Sequence, residues 1–178
     1  MPLARPPTQW QHPVMATKRR SGEEGHRRKF LVVIDDTPEV SRALRYAARR
    51  AGHTGGAVVL LYVIGPAEFQ HWMGVENIMR AEAMEAAETA LGRFADMIRE
   101  WSNTEPELVI REGNRSEEIV KLIDEDPDIA ILVLAAASDK EGPGPLVAAL
   151  AGKASGTFSV PITIVPGHLD DEAINAIS

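Results

Sequence analysis

The stretch FLVVIDDTPEVSRALRYAARR, residues 30–50, leaves this chain few ways to fold. It opens on an apolar, β-branched run, Phe30 to Ile34, too short for a helix and suited to a buried strand. Asp35 and Asp36 follow, then Thr37 and Pro38. The pattern predicts a helix with Thr37 as its N-cap and Pro38 at its first position. Val40, Ala43, Leu44, Ala47 and Ala48 then recur at helical spacing. A strand, an acidic turn and a helix make the first half of a βαβ unit. Ligands of open α/β sheets bind beyond the carboxyl ends of the strands, and Asp35 stands at such an end.

The rest of the chain repeats this alternation. Gly52 is the expected C-cap of the first helix. Residues 57–63 read as a second buried strand, followed by a loop over 67–74 that holds His71 and Trp72. A long helix is predicted from about Val75 to Trp101, with Met84, Ala87, Leu91, Phe94, Ala95 and Ile98 as its core stripe. A third strand is expected over 107–113. A third helix follows, with Ser116 as cap and Ile119, Val120, Leu122 and Ile123 facing inward. The run 129–137 is the most apolar and reads as a central strand. A short helix over 146–156 and a final strand over 160–165 complete the series, with one loose turn after them. Strands alternating with helices imply a mostly parallel sheet covered on both faces, joined by right-handed crossovers. The boundaries expected are an arm over 1–28, a domain over 29–167 and a tail over 168–178.

Charge divides the chain at residue 29. Residues 1–29 hold seven Lys or Arg against two Glu; the rest holds twelve against twenty-four. An acidic domain argues against nucleic acid as its partner. The basic arm reads as a solvated, disordered leader that is dispensable for folding. Its first fourteen residues, which precede Met15, are Pro-rich and without periodicity, and are set aside as not belonging to the native start. No cysteine is present, which excludes disulfides and Cys-held metal. No apolar run nears the ~18 residues of a membrane span, and no signal-peptide core opens the chain. A cytoplasmic protein is expected.

Catalytic motifs are missing. Asp35 and Asp36 are adjacent, so they point to opposite faces of an extended strand and make a poor two-carboxylate clamp. That disfavours a dehalogenase-type phosphatase. A response-regulator receiver needs an Asp ending the third strand and a Lys ending the fifth, where Glu112 and Val165 stand. No G-x-G-x-x-G follows the first strand, and Val147 occupies the place of the first glycine of a P-loop ending in Gly152-Lys153. No histidines have ligand spacing.

Taken together, VVIDDTPEVSRAL, LYVIGP, IREGNRSEEIVKL, IAILVLAAAS and VPITIVP resemble the universal stress protein family over about residues 29–167. The resemblance implies one open five-stranded sheet, order 3-2-1-4-5, with helices on both faces, an adenine nucleotide alpha hydrolase-like α/β fold. It also implies a homodimer. In members that bind ATP, Asp35 matches a carboxylate that contacts the nucleotide and Val63 a residue whose backbone meets adenine. Gly113 and Leu134 complete that part of the site. The phosphates and ribose lie in a Gly-x2-Gly-x9-Gly-Ser/Thr loop. Without gaps, that motif falls on Ala135, Ser138, Ala148 and Ala149, so every glycine is missing. A second register uses Gly142, Gly144, Gly152 and Lys153, with Asp139 at the first motif position. Pro143 and Pro145 remove N–H donors from it, and Asp139 and Glu141 would repel phosphate.

Two readings stand. One is a stress-response module whose nucleotide binding is weak or lost and whose output is contact with unidentified proteins. The other binds ATP or AMP, with Mg2+ in the case of ATP, and hydrolyses ATP slowly at most. Dimerisation is expected through Pro161, Ile162, Thr163, Ile164 and Val165, an uncharged edge strand bracketed by prolines.

Overall fold

The computed structural model describes residues 17–66, 76–138, 142–152 and 158–178. The elements run β1 (Lys29–Ile34), α1 (Val40–Thr54), β2 (Ala57–Ile64), α2 (Glu76–Ser102), β3 (Glu107–Glu112), α3 (Arg115–Glu125), β4 (Ile129–Ala136), α4 (Pro145–Ala151), β5 (Ile162–Pro166) and α5 (Asp171–Ile177). The strands form one parallel sheet in the order β3-β2-β1-β4-β5. Alternate residues divide between two cores. Phe30, Val32, Ile34, Val58 and Leu60 join α1 and α2 on one face. Leu31, Val33, Val59, Leu61 and Val63 join α3 and α4 on the other. Burial on both sides is why these strands read as unbroken apolar runs rather than alternating ones.

Several boundaries differ from the sequence reading. The α1 helix begins at Val40, because the Asp35 carboxylate accepts the Thr37 N–H at 3.1 Å and its hydroxyl at 2.5 Å. That side-chain turn consumes Thr37, so it caps no helix. At the other end α1 runs past Gly52 to Thr54. Gly55 takes the left-handed conformation that ends it, at φ 64°. Asn114, not Ser116, caps α3, accepting the Glu117 N–H at 3.2 Å. The last strand is 162–166, not 160–165: Pro161 lies before it, its carbonyl accepting from the Leu132 N–H at 3.0 Å.

The tail is not a loose turn. Asp170 caps α5 by accepting the Ala173 N–H at 2.8 Å, and Ile174 is wholly buried in the α1 face of the core. Arginines along α1 hold the outer side of α5. Arg42 and Arg45 pair with Asp171, Arg45 also donates to Asn175, and Arg49 donates to Ser178.

Nor is the described part of the arm, residues 17–28, a solvated leader. The Arg19 Nη1 donates to the carbonyls of Ile123, Asp126 and Ile129 at 2.5, 3.2 and 3.3 Å. A fixed cation at the end of α3 complements the carbonyls that the helix leaves unpaired. His26 meets Asp128 at 2.6 Å, and the Arg27 guanidinium donates to the Gly56 carbonyl. Lys29 then joins Glu107 at 2.8 Å and Asp126 at 2.9 Å. Burial works against the Lys29 charge, but these bonds outweigh it and hold the ammonium above the usual lysine range. Residues 1–14 and Met15 lie outside the described residues.

Arg19→Ala should therefore destabilise the chain by about 2 kcal/mol, since hydrogen bonds from charged groups each contribute ~1.5–3 and partner carbonyls regain some water. For a chain of this length that lowers the melting temperature by roughly 4–8 °C. An unchanged melting curve would show that residues 17–28 do not dock in solution.

The two sheet edges differ. At β3, Arg111 pairs with Glu125 and Arg80 with Glu112, and Glu107 faces solvent. At β5, Ile164 is 39% exposed, and Ile162 and Thr163 are half-buried. Val165, expected at the dimer surface, is 2% exposed and belongs to the core of its own chain. No described helix is long and apolar enough to cross a membrane.

Candidate functional site

The chain leaves β1 through α1 on one face to reach β2, and returns from β3 through α3 on the other face to reach β4, which lies on the opposite side of β1. The carboxyl ends of β1 and β4 thus flank the gap where a doubly wound sheet accepts a ligand. A cleft of about 330 Å³ opens there, near the low end of small-molecule sites. Its apolar wall holds Val33, Val40, Leu134 and Val147. Its mouth holds Asp35, Asp36, Thr37, Glu39 and Arg115, and the loop before α4 closes it with Pro143, Gly144 and Pro145. Among the described lining residues, three carboxylates face one guanidinium.

Two described backbone bonds tie the end of the loop after β4 to the strand and to α4. The Ala137 N–H donates to the Pro143 carbonyl at 3.2 Å, and the Ala148 N–H to the Gly144 carbonyl at 3.0 Å. Pro143 and Pro145 have no N–H to give. Gly142 at φ 108° and Gly144 at φ 91° take conformations that favour glycine. Across the mouth, Ser138 Oγ lies 3.4 Å from Glu39 Oε1. The stem of Glu39 crosses Gly167 so closely that a Cβ there would stand 2.4 Å from Glu39 Cγ and 2.4 Å from the Ala136 carbonyl oxygen. No described group of His, Cys, Asp and Glu has the arrangement of a metal site.

Of the residues implied by the family resemblance, the cleft brings together Asp35, Leu134, Ala135 and Gly144. Ser138 stands at its rim through Glu39. Val63 is buried on the face of Val33 and Leu134, but in β2 it lies on the far side of β1 from β4 and is not part of the lining. Gly113 sits against Glu118, with its N–H donating to the Ile64 carbonyl at 3.0 Å. Ala148 and Ala149 lie exposed in the middle of α4 rather than at its start, and Gly152 follows its last turn. Gly142 is in the closing loop but not in the lining. Asp139, Glu141 and Lys153 lie outside the described residues. The sequence reading did not include Glu39 or Arg115. Both follow the end of a strand at the start of a helix, which is the signal that could have found them.

The pattern that defines the universal stress protein family matches residues 26–166. The fold is similar to that of universal stress protein UspA from Lactobacillus plantarum, with a TM-score of 0.64 at 15% identity over 79% of this chain and 98% of that one. It is similar to a universal stress protein from Archaeoglobus fulgidus solved in complex with dAMP, with a TM-score of 0.53 at 18% identity over 79% and 98%. A third, a universal stress protein in complex with cAMP, gives a TM-score of 0.56 at 16% identity over 78% and 96%. No curated protein matches the chain in sequence.

Proposed function

The chain belongs to the universal stress protein family, and from that premise we propose that it is a non-enzymatic, cytoplasmic stress-response module whose cleft binds adenine nucleotides weakly. The observation that carries this reading is the loop opposite Asp35. Its Ala137 N–H is already bonded to the Pro143 carbonyl, and two prolines replace donors that a phosphate would need. A phosphate cradle works through free backbone N–H groups at close approach. The mouth also holds three carboxylates. The dAMP and cAMP held by two solved proteins of similar fold support an adenine nucleotide as the ligand class. A homodimer through the uncharged β5 edge is part of the proposal, with Ile164 as its exposed apolar contact. Partner proteins would read the dimer surface.

The positive φ of Gly142 and Gly144 favours a second reading. There the glycine loop, continued by Gly152 and Lys153, holds ATP with Mg2+, and hydrolysis is slow at most.

Purified chain, denatured and assayed for released nucleotide, separates the two. A ligand bound at ~1 mM, about 4 kcal/mol, is lost during purification. The expected nucleotide content is far below one per chain, in a particle that scatters light as two chains. Stoichiometric ATP would overturn the first reading, and a single-chain mass would remove the dimer.

A further inference from the structure

We propose that Glu39 sets the ligand class of the cleft: its carboxylate occupies the rim where a phosphate would bind, so the site takes an uncharged nucleoside in preference to its phosphate esters. This rests on the reading of the cleft as an adenine site.

Glu39 is the N-cap residue of α1 yet makes no side-chain cap bond, so its side chain is free for another use. Its stem lies across residue 167, where only glycine leaves room, since the backbone oxygen of Ala136 closes the other side at 2.4 Å. That passage fixes the direction of the side chain. The carboxylate then reaches Ser138 at 3.4 Å, the residue at the second position of the ungapped phosphate motif. Glu39 is half-buried and lines the same cleft as Asp35 and Asp36. A phosphate entering here meets three like charges, and Arg115 is the one cation among the described lining residues. Each added phosphate adds negative charge to that encounter, while the nucleoside needs only the apolar wall of Val33, Leu134 and Val147 and polar groups for its hydroxyls. Asp35 adds its charge from the end of β1, where its carboxylate is turned back onto Thr37, whereas Glu39 places its charge at the rim marked by Ser138.

Titration calorimetry with adenosine, AMP and ATP tests this on the full chain and on Glu39→Gln. The wild type should bind adenosine best and ATP worst. Glu39→Gln keeps the stem and removes the charge. It should raise ATP affinity at least ~10-fold, about 1.4 kcal/mol, raise AMP affinity less, and change adenosine affinity least of the three. Glu39→Ala should act in the same direction and serves if the glutamine variant does not fold. Wild-type affinity for ATP equal to that for adenosine would overturn the proposal, as would an ATP affinity indifferent to Glu39. Either result leaves the adenine site standing. Failure of every adenine compound to bind both proteins would instead overturn the cleft as an adenine site, and the role of Glu39 with it.

Discussion

Leu60→Ala should cost about 3–5 kcal/mol, the upper range for emptying a fully buried leucine site. Leu60 is wholly buried in the middle of β2, paired laterally with Val32 on β1 and Leu108 on β3. It shares an apolar cluster with Leu44 and Ala47 of α1 and Leu91 and Phe94 of α2. A strand locked between two neighbours by its backbone cannot move to fill the void, so both the lost contacts and the cavity count. Leu108→Ala is the control. It lies on the edge strand, 46% exposed, and should cost under ~1 kcal/mol because little apolar area leaves the interior. Urea unfolding of both variants measures the difference. Equal costs would mean that the two strands are equally open, contrary to the described sheet.

Ile174→Asp should release α5. Ile174 is wholly buried and is the anchor residue of a seven-residue helix. A helix this short has no stability of its own and depends on docking. Burying an unpaired carboxylate is too costly, so the helix should leave rather than accept it. The loss is then limited to the docking energy, about 2–3 kcal/mol from the isoleucine, or roughly 5–10 °C in melting temperature. A chain ending at Leu169 should melt together with Ile174→Asp. The variant should also lose amide-exchange protection over residues 171–178 and not over β1. If truncation proves much more damaging than the substitution, the ion pairs of Arg42, Arg45 and Asp171 hold α5 by themselves.

How far the sequence was legible follows from the range of each interaction. The apolar runs of β1, β2 and β4 and the spacing of Val40, Ala43, Leu44, Ala47 and Ala48 are local signals, and they placed those strands and α1. Helix ends were less readable because choices compete within a few residues. Gly52, Gly55 and Gly56 could each end α1, and the Asp35–Thr37 turn decided its start. The docked arm was invisible because the Arg19 carbonyl partners lie 104 to 110 residues away. α5 was read as loose because DEAINAI carries one buried residue and no periodic face. In the cleft, Asp35 was legible from its strand end. Ala148 and Ala149 were placed by counting from β4 with an unaltered loop, and the chain instead starts α4 at Pro145. The place of Glu39 at a helix start was a local signal, but the path of its side chain depends on Gly167, which is far away in sequence and adjacent only in the fold.

The unlike edges of the sheet give it a valence. On β3, Arg111 with Glu125 and Arg80 with Glu112 surround the outer strand with charge that another backbone would have to strip of water. On β5 none of the strand's own residues, Ile162–Pro166, carries charge. A sheet with two bare edges can add copies without end, as fibres do. A sheet with one can be joined once, after which nothing is left to extend. In the proposed dimer, growth by strand addition would stop at two bodies, and the charge on the far edge, not the contact itself, would set that limit.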